Sequence, residues 1–247
     1  MTNLASTAPH IHGALTYDDL ADWGEQPHAR EAPGGARSRS SGRLLFKTPV
    51  RRPETGLWVC TPGRWTLAVP RDEFLWVLAG RARYRGERGE SIELGAGQAA
   101  LFPAGWSGEA DVEQTLRVSY ILSASEPQES TPKAPLLLED PLALSELKDW
   151  GVIPTMIEGE SRTAGRLLNR EADGSAECGF WTCTPGTWFC HVTRDEYCHF
   201  LAGRATYTHG ESGDVIEIEP DTLAFFPKDW KGNCVVRETV KKVYLIV

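Results

Sequence analysis

Short apolar runs closed by glycine or proline fill most of this chain. Residues 65–69 and 74–78 are rich in aromatic and branched side chains, and residues 81–85, 91–94, 99–102 and 116–122 follow at close spacing. Gly80, Gly86, Gly89, Gly95, Gly97, Pro103 and Gly105 separate them. Such runs predict strands joined by tight turns, and many in succession predict an all-β sandwich or closed barrel. Only residues 16–23 and 145–150 predict short helices. Each opens on a capping hydroxyl, Thr16 or Ser145, and each stops at a glycine, Gly24 or Gly151.

The pattern occurs twice. Gly56-Leu57-Trp58-Val59-Cys60-Thr61-Pro62-Gly63 returns as Gly179-Phe180-Trp181-Thr182-Cys183-Thr184-Pro185-Gly186, a spacing of 123 residues. Glu73, Gly80 and Tyr84 recur as Glu196, Gly203 and Tyr207. One inserted residue then makes the spacing 124, so that Phe102, Trp106 and Tyr120 meet Phe226, Trp230 and Tyr244. Two copies of about a hundred residues predict two tandem domains. The bounds read as 1–122 for the first domain with its leader, 123–143 for a Pro-, Ser- and Glu-rich linker, and 144–247 for the second.

Composition narrows the partners. The net charge of −8 argues against nucleic acid or an anionic membrane surface. No apolar run approaches a membrane span, and the first residues lack the basic and apolar regions of a secretory signal, so a cytoplasmic location is expected. The six cysteines are expected to be free thiols. His10-Ile11-His12 falls in a tail and is read as incidental. Gly95-Ala96-Gly97 matches the letters of a dinucleotide fingerprint but sits in a turn between strands.

Glu73-x6-Gly80, Glu196-x6-Gly203 and Gly97-x5-Pro103 resemble the two cupin motifs. With the later Phe-Pro-x-x-Trp-x-Gly strings, both copies are similar to the EutQ-like cupins, also called ureidoglycine-aminohydrolase-type cupins. The resemblance implies two tandem double-stranded β-helix barrels of the RmlC-like jelly-roll type, a bicupin. It also implies a metal held by His-x-His, Glu and a later His. On that pattern the first copy has Thr66 and Ala68 at the early histidines, and the second has Phe189 and His191; Gly108 and Gly232 replace the late one. Cupins often dimerise by strand exchange, which together with open sheet edges makes a homodimer an expectation.

Differences between the copies point to the second barrel. Leu67, Ala68, Leu75 and Ala110 become Cys190, His191, Cys198 and Cys234. Glu196 and Cys198, two residues apart on a strand, share a face. The expected site is therefore His191 and Glu196 as catalytic groups, with Cys198, Tyr207 and Trp230 contacting substrate. Two alternatives stand for its chemistry. In one, His191, Glu196 and Cys198 hold a divalent metal such as Fe, Mn, Ni or Zn. In the other the site is metal-free, with a buried glutamate as acid or base, unless Glu73 and Glu196 merely pair with Arg81 and Arg204. The functional readings are an enzyme acting on a small polar metabolite, a non-catalytic binding or sensory module, and a structural or assembly protein.

Overall fold

The computed structural model describes residues 10–12, 19–30, 37–47, 54–123, 134–138, 142, 145–170, 174 and 176–246. The strands are β1 (His10–His12), β2 (Ala21–Glu25), β3 (Arg39–Lys47), β4 (Glu54–Cys60), β5 (Gly63–Ala68), β6 (Glu73–Gly86), β7 (Ser91–Gly95), β8 (Ala99–Phe102), β9 (Ser107–Leu122) and β10 (Leu136–Leu138). The second set comprises β11 (Lys148–Val152), β12 (Met156–Gly159), β13 (Arg162–Arg170), β14 (Glu177–Cys183), β15 (Gly186–His191), β16 (Glu196–His209), β17 (Val215–Ile218), β18 (Thr222–Phe226) and β19 (Lys231–Ile246). The two long strands of each set, β6 with β9 and β16 with β19, pair antiparallel along their length. Gly80 and Gly203 lie at the register shifts of these pairs with φ of +91° and +87°. A Cβ there would strike the carbonyl of Thr115 or Thr239, so the shared glycines are demanded by backbone proximity as well as by φ.

One compact unit is Tyr17–Pro141, with strand order β10-β8-β6-β9-β4-β3-β2, β5 on β9 and β7 on β6. The other contains Leu142–Val247 together with β1, in the order β1-β18-β16-β19-β14-β13-β11, with β15 on β19 and β17 on β16. Each is a cupin barrel, and together they are the tandem pair expected from the repeat. The short outer strands are exchanged in sequence order. β1, which precedes the first barrel in the chain, pairs with β18 of the second, whereas β10, which precedes the second, pairs with β8 of the first. The register is the same, with Ile11 opposite Ala224 and Leu137 opposite Ala100. The His10-Ile11-His12 segment, read from sequence as tail, is thus a strand of the second unit.

The two predicted helices are strands instead. Residues 21–25 and 148–152 form β2 and β11, and Thr16 lies outside the described residues. Gly24 and Gly151 do take positive φ, but as bulge residues, where the Asp22 and Asp149 carboxylates accept their N–H groups at 2.9 and 2.7 Å. A left-handed glycine serves a bulge as well as a helix end. Segments this short gain little from helical hydrogen bonding, and here the Trp23 and Trp150 rings cover Gly42 and Gly165 on the neighbouring strands, where a Cβ would overlap them.

Each barrel is filled by side chains of one strand face. Trp65, Tyr84, Phe102 and Trp106 occupy the first, and Trp188, Tyr207, Phe226 and Trp230 the second. Edge-on contacts of 4.8 Å for Tyr84–Phe102 and 5.3 Å for Phe226–Trp230 lock the rings. No helix is long and apolar enough to cross a membrane among the described residues.

Candidate functional site

Strand alternation places the polar floor of the second barrel. Glu196 and Cys198 begin β16 on its inner face, and β19 runs beside both β16 and β14, with Lys242 opposite Phe200 and Trp181. Lys242 is only 7% exposed. Its Nζ donates to Glu196 Oε1 at 2.8 Å and to Cys198 Sγ at 3.3 Å. It also lies 4.7 Å from the Trp181 ring centroid and 5.6 Å from that of Phe200. Burial disfavours the ammonium, but the Cys198 sulfur and the Glu196 carboxylate outweigh it and hold Lys242 above its ordinary value. The Cys198 thiol is raised by burial and by Glu196, so it stays protonated at neutral pH.

A cavity of about 740 Å³ opens above this floor. Trp181, Trp188, Cys190, Tyr207 and Phe226 form its walls. The Tyr207 hydroxyl is hydrogen-bonded to Cys234, and burial raises it. Burial and the nearby Glu196 push the Cys190 thiol up to about 12. Trp150, Lys148 and Arg166 line the cavity nearer solvent. Also lining it is Arg170, which is bound to Glu177 at 2.8 Å. Among the described residues Lys148 and Arg166 have no ion-pair partner.

Glu196 and Tyr207 line the cavity, whereas Cys198, expected to contact substrate, is buried behind Glu196 against Lys242 and does not line it, and two further expected residues are elsewhere. His191 is on the outer face of β15, 40% exposed and 3.6 Å from Asp229. The inward residues of that strand are Trp188 and Cys190, so a motif register that put Phe189 and His191 inward is off by one. Such a shift turns every side chain to the opposite face. Trp230 is fully buried beneath the cavity against Tyr207, Phe226 and His209 and does not line it. Arg204 does not reach Glu196; it pairs with Glu219 and Glu238. Lys242, which sequence reasoning passed over, occupies that role. Its counterpart is Val118, so a charge replaces a core valine two residues before the shared tyrosine.

The donor set does not suit a metal. His191 points away, the Glu196 carboxylate is engaged by an ammonium, and no group of three His, Cys, Asp or Glu that could hold an ion occurs among the described residues. The proposed trio of His191, Glu196 and Cys198 is therefore not assembled.

The first barrel keeps a cavity as well, of about 520 Å³, with Glu73 on its floor and Trp58, Trp65, Tyr84, Phe102 and Tyr120 around it. Glu73 has no hydrogen bond or ion pair among the described residues; Arg81 does not reach it. Burial raises its carboxyl to about 7, with Arg71 opposing and Glu54 adding to the shift. Glu54 itself takes Lys47 at 2.9 Å and Arg71 at 3.3 Å.

Three comparisons bear on this architecture. No curated protein matches the chain. Among solved structures, a protein of unknown function of the DUF861 family from Pseudomonas syringae pv. tomato superposes with a TM-score of 0.69 at 17% identity, over 92% of this chain and 99% of its own. The protein Ylba from E. coli, of the same family, gives 0.61 at 13% identity over 97% and 90%. Streptomyces albus HEPD, with 2-hydroxyethylphosphonate and Fe(II) bound, gives 0.60 at 6% identity over 100% and 77%. These similarities show a shared fold. The model of the EutQ-like cupin domain matches residues 48–120 and again residues 170–244. Two matched barrels, one for each copy of the repeat, place this chain in the EutQ-like cupin domain family.

Proposed function

We propose that the second barrel binds a small polar metabolite, with Glu196 receiving a hydroxyl or amino donor at one end and Lys148 and Arg166 facing an anionic group at the other. One observation carries the reading. A buried Lys242–Glu196 pair at 2.8 Å lies under a 740 Å³ cavity, and Glu196 keeps 19% exposure into it. A carboxylate has about four acceptor positions, so Lys242 and Cys198 leave room for a ligand. Aromatic walls with a few convergent polar groups are the usual make-up of a small-molecule site.

Recognition fits this geometry better than proton transfer. A general base must take up a proton, and an ammonium in contact with Glu196 opposes that step. Lys242 Nζ donates to Glu196 and Cys198 and lies over the Trp181 ring, and with its pKa held above the ordinary value it stays an ammonium rather than a free amine. The test is a thermal-stability screen of hydroxy- and amino-carboxylates, since a ligand that binds only the folded state raises its stability. Wild type should be stabilised by a subset of compounds, and Glu196→Gln and Arg166→Ala should each lose that shift. A shift that persists in both variants would refute the assignment, as would consumption of the compound by wild type.

A further inference from the structure

The second barrel shows what the first one lacks. In the second, an ammonium touches Glu196 at 2.8 Å and lies over the Trp181 ring at 4.7 Å. The first has the same glutamate, Glu73, and the same tryptophan, Trp58, in equivalent registers, but Val118 stands opposite Trp58 where Lys242 stands opposite Trp181. A second partner is missing too. Tyr207 has Cys234, whereas Tyr84 faces Ala110 in the same register, and its hydroxyl is buried without a hydrogen-bond partner. Tyr84 is 3% exposed. Buried polar groups are rarely left unsatisfied, and here the buried Tyr84 hydroxyl and the half-buried Glu73 carboxylate line one cavity of about 520 Å³.

We propose that the first barrel binds a small organic amine in its protonated form, the ammonium taking the place against Glu73 and Trp58 that Lys242 takes in the second barrel. A carboxylate beside the face of an indole is a complementary environment for such a cation. The apolar body of the ligand lies among Trp65, Leu67, Phe102 and Tyr120, below Trp23 and Leu44. The proposal does not depend on what the second barrel binds. Glu73 must be ionised to hold the cation, and its carboxyl sits at about 7, so affinity rises as pH increases through neutrality. The charged groups that act on it are Arg71 and Glu54, with Lys47 bound to Glu54 at 2.9 Å, and the Tyr84 and Tyr120 hydroxyls beside it are raised by burial.

Calorimetric titration of the full chain with benzylamine, against benzyl alcohol as the neutral control, tests this. The expected result at about pH 8 is one saturable site that weakens at least tenfold at about pH 6. Glu73→Gln should also weaken it at least tenfold. Val118→Lys, which supplies a tethered ammonium, should block it. Absence of saturable benzylamine binding would overturn the proposal, as would equal affinity for benzyl alcohol or undiminished affinity in Glu73→Gln. Where Val118→Lys folds and still binds with full affinity, the proposal also fails.

Discussion

Replacing Glu73 by Gln without ligand is the sharpest test of the electrostatics, because the expected effect changes with pH. The wild-type carboxyl is raised from an ordinary 4.5 to about 7, chiefly by burial. Between those values the folded state holds a proton that the unfolded chain releases, so stability falls as pH rises through the window. Below about 4.5 both states carry the proton and the group costs nothing. Above about 7 the folded state must hold a half-buried carboxylate without a hydrogen-bond partner, and the gap between the two values corresponds to at most about 3 kcal/mol. Glutamine has the same shape and never ionises. Urea denaturation of both proteins should therefore give similar stabilities near pH 4.5. The variant should gain on wild type with increasing pH, reaching an advantage of at most about 3 kcal/mol above pH 8. A constant difference across that range would show that Glu73 is solvated, or paired as Glu196 is, and the reasoning about the first cavity would fail.

Other expectations concern the second barrel. Lys242→Met leaves Glu196 without its partner and should cost about 3 kcal/mol at neutral pH, measured by urea denaturation; a loss below about 1 kcal/mol would mean the pair is already solvated. His191→Ala should cost less than about 1 kcal/mol, because the Asp229 contact is exposed, and should leave ligand-induced stabilisation intact. Cys190 alone of the six free cysteines is partly exposed, yet its thiol sits at about 12. A disulfide reagent at neutral pH should therefore label native protein slowly and six thiols after denaturation. Rapid native labelling would contradict the raised thiol. Asp149→Ala removes the acceptor for Gly151 N–H and a 2.8 Å contact to Arg162, and should lower the urea midpoint of unfolding; an unchanged midpoint would mean the bulge does not need that acceptor.

The repeat made the architecture legible, since a chain that writes one barrel twice states its own alignment. Glu196, Cys198 and Tyr207 were legible for the same reason, through strand alternation from a shared glutamate. The family motif misplaces His191 because the parity it implies is not that of β15. Trp188 is a core residue shared with Trp65, and counting by two from it gives Cys190 inside and His191 outside. Lys242 carried a usable signal in the Val118 alignment, but a lysine on a strand reads by default as solvent-facing. Its burial is made tolerable by Glu196, 46 residues earlier in sequence, and pairing at that distance is a property of the folded sheet. The bulges at Gly24 and Gly151 were hidden similarly. Positive φ was predictable at both, but the element it served depended on which strands lay alongside.

The exchanged outer strands set the order in which the chain can finish folding. Leu137 needs Ala100, already synthesised, so the first barrel can gain its β10 edge as soon as that segment emerges. β1 has no such option: its residue His12 pairs with Leu223, 211 positions later. At about 5–20 residues per second it waits roughly 10–40 s for a partner. Until it docks, β18 offers Leu223, Ala224 and Phe225 as an open apolar edge, the kind of template on which chains pair with one another. The segment around His10–His12 thus protects an edge, and a chain trimmed of it would carry the cost in solubility during biosynthesis.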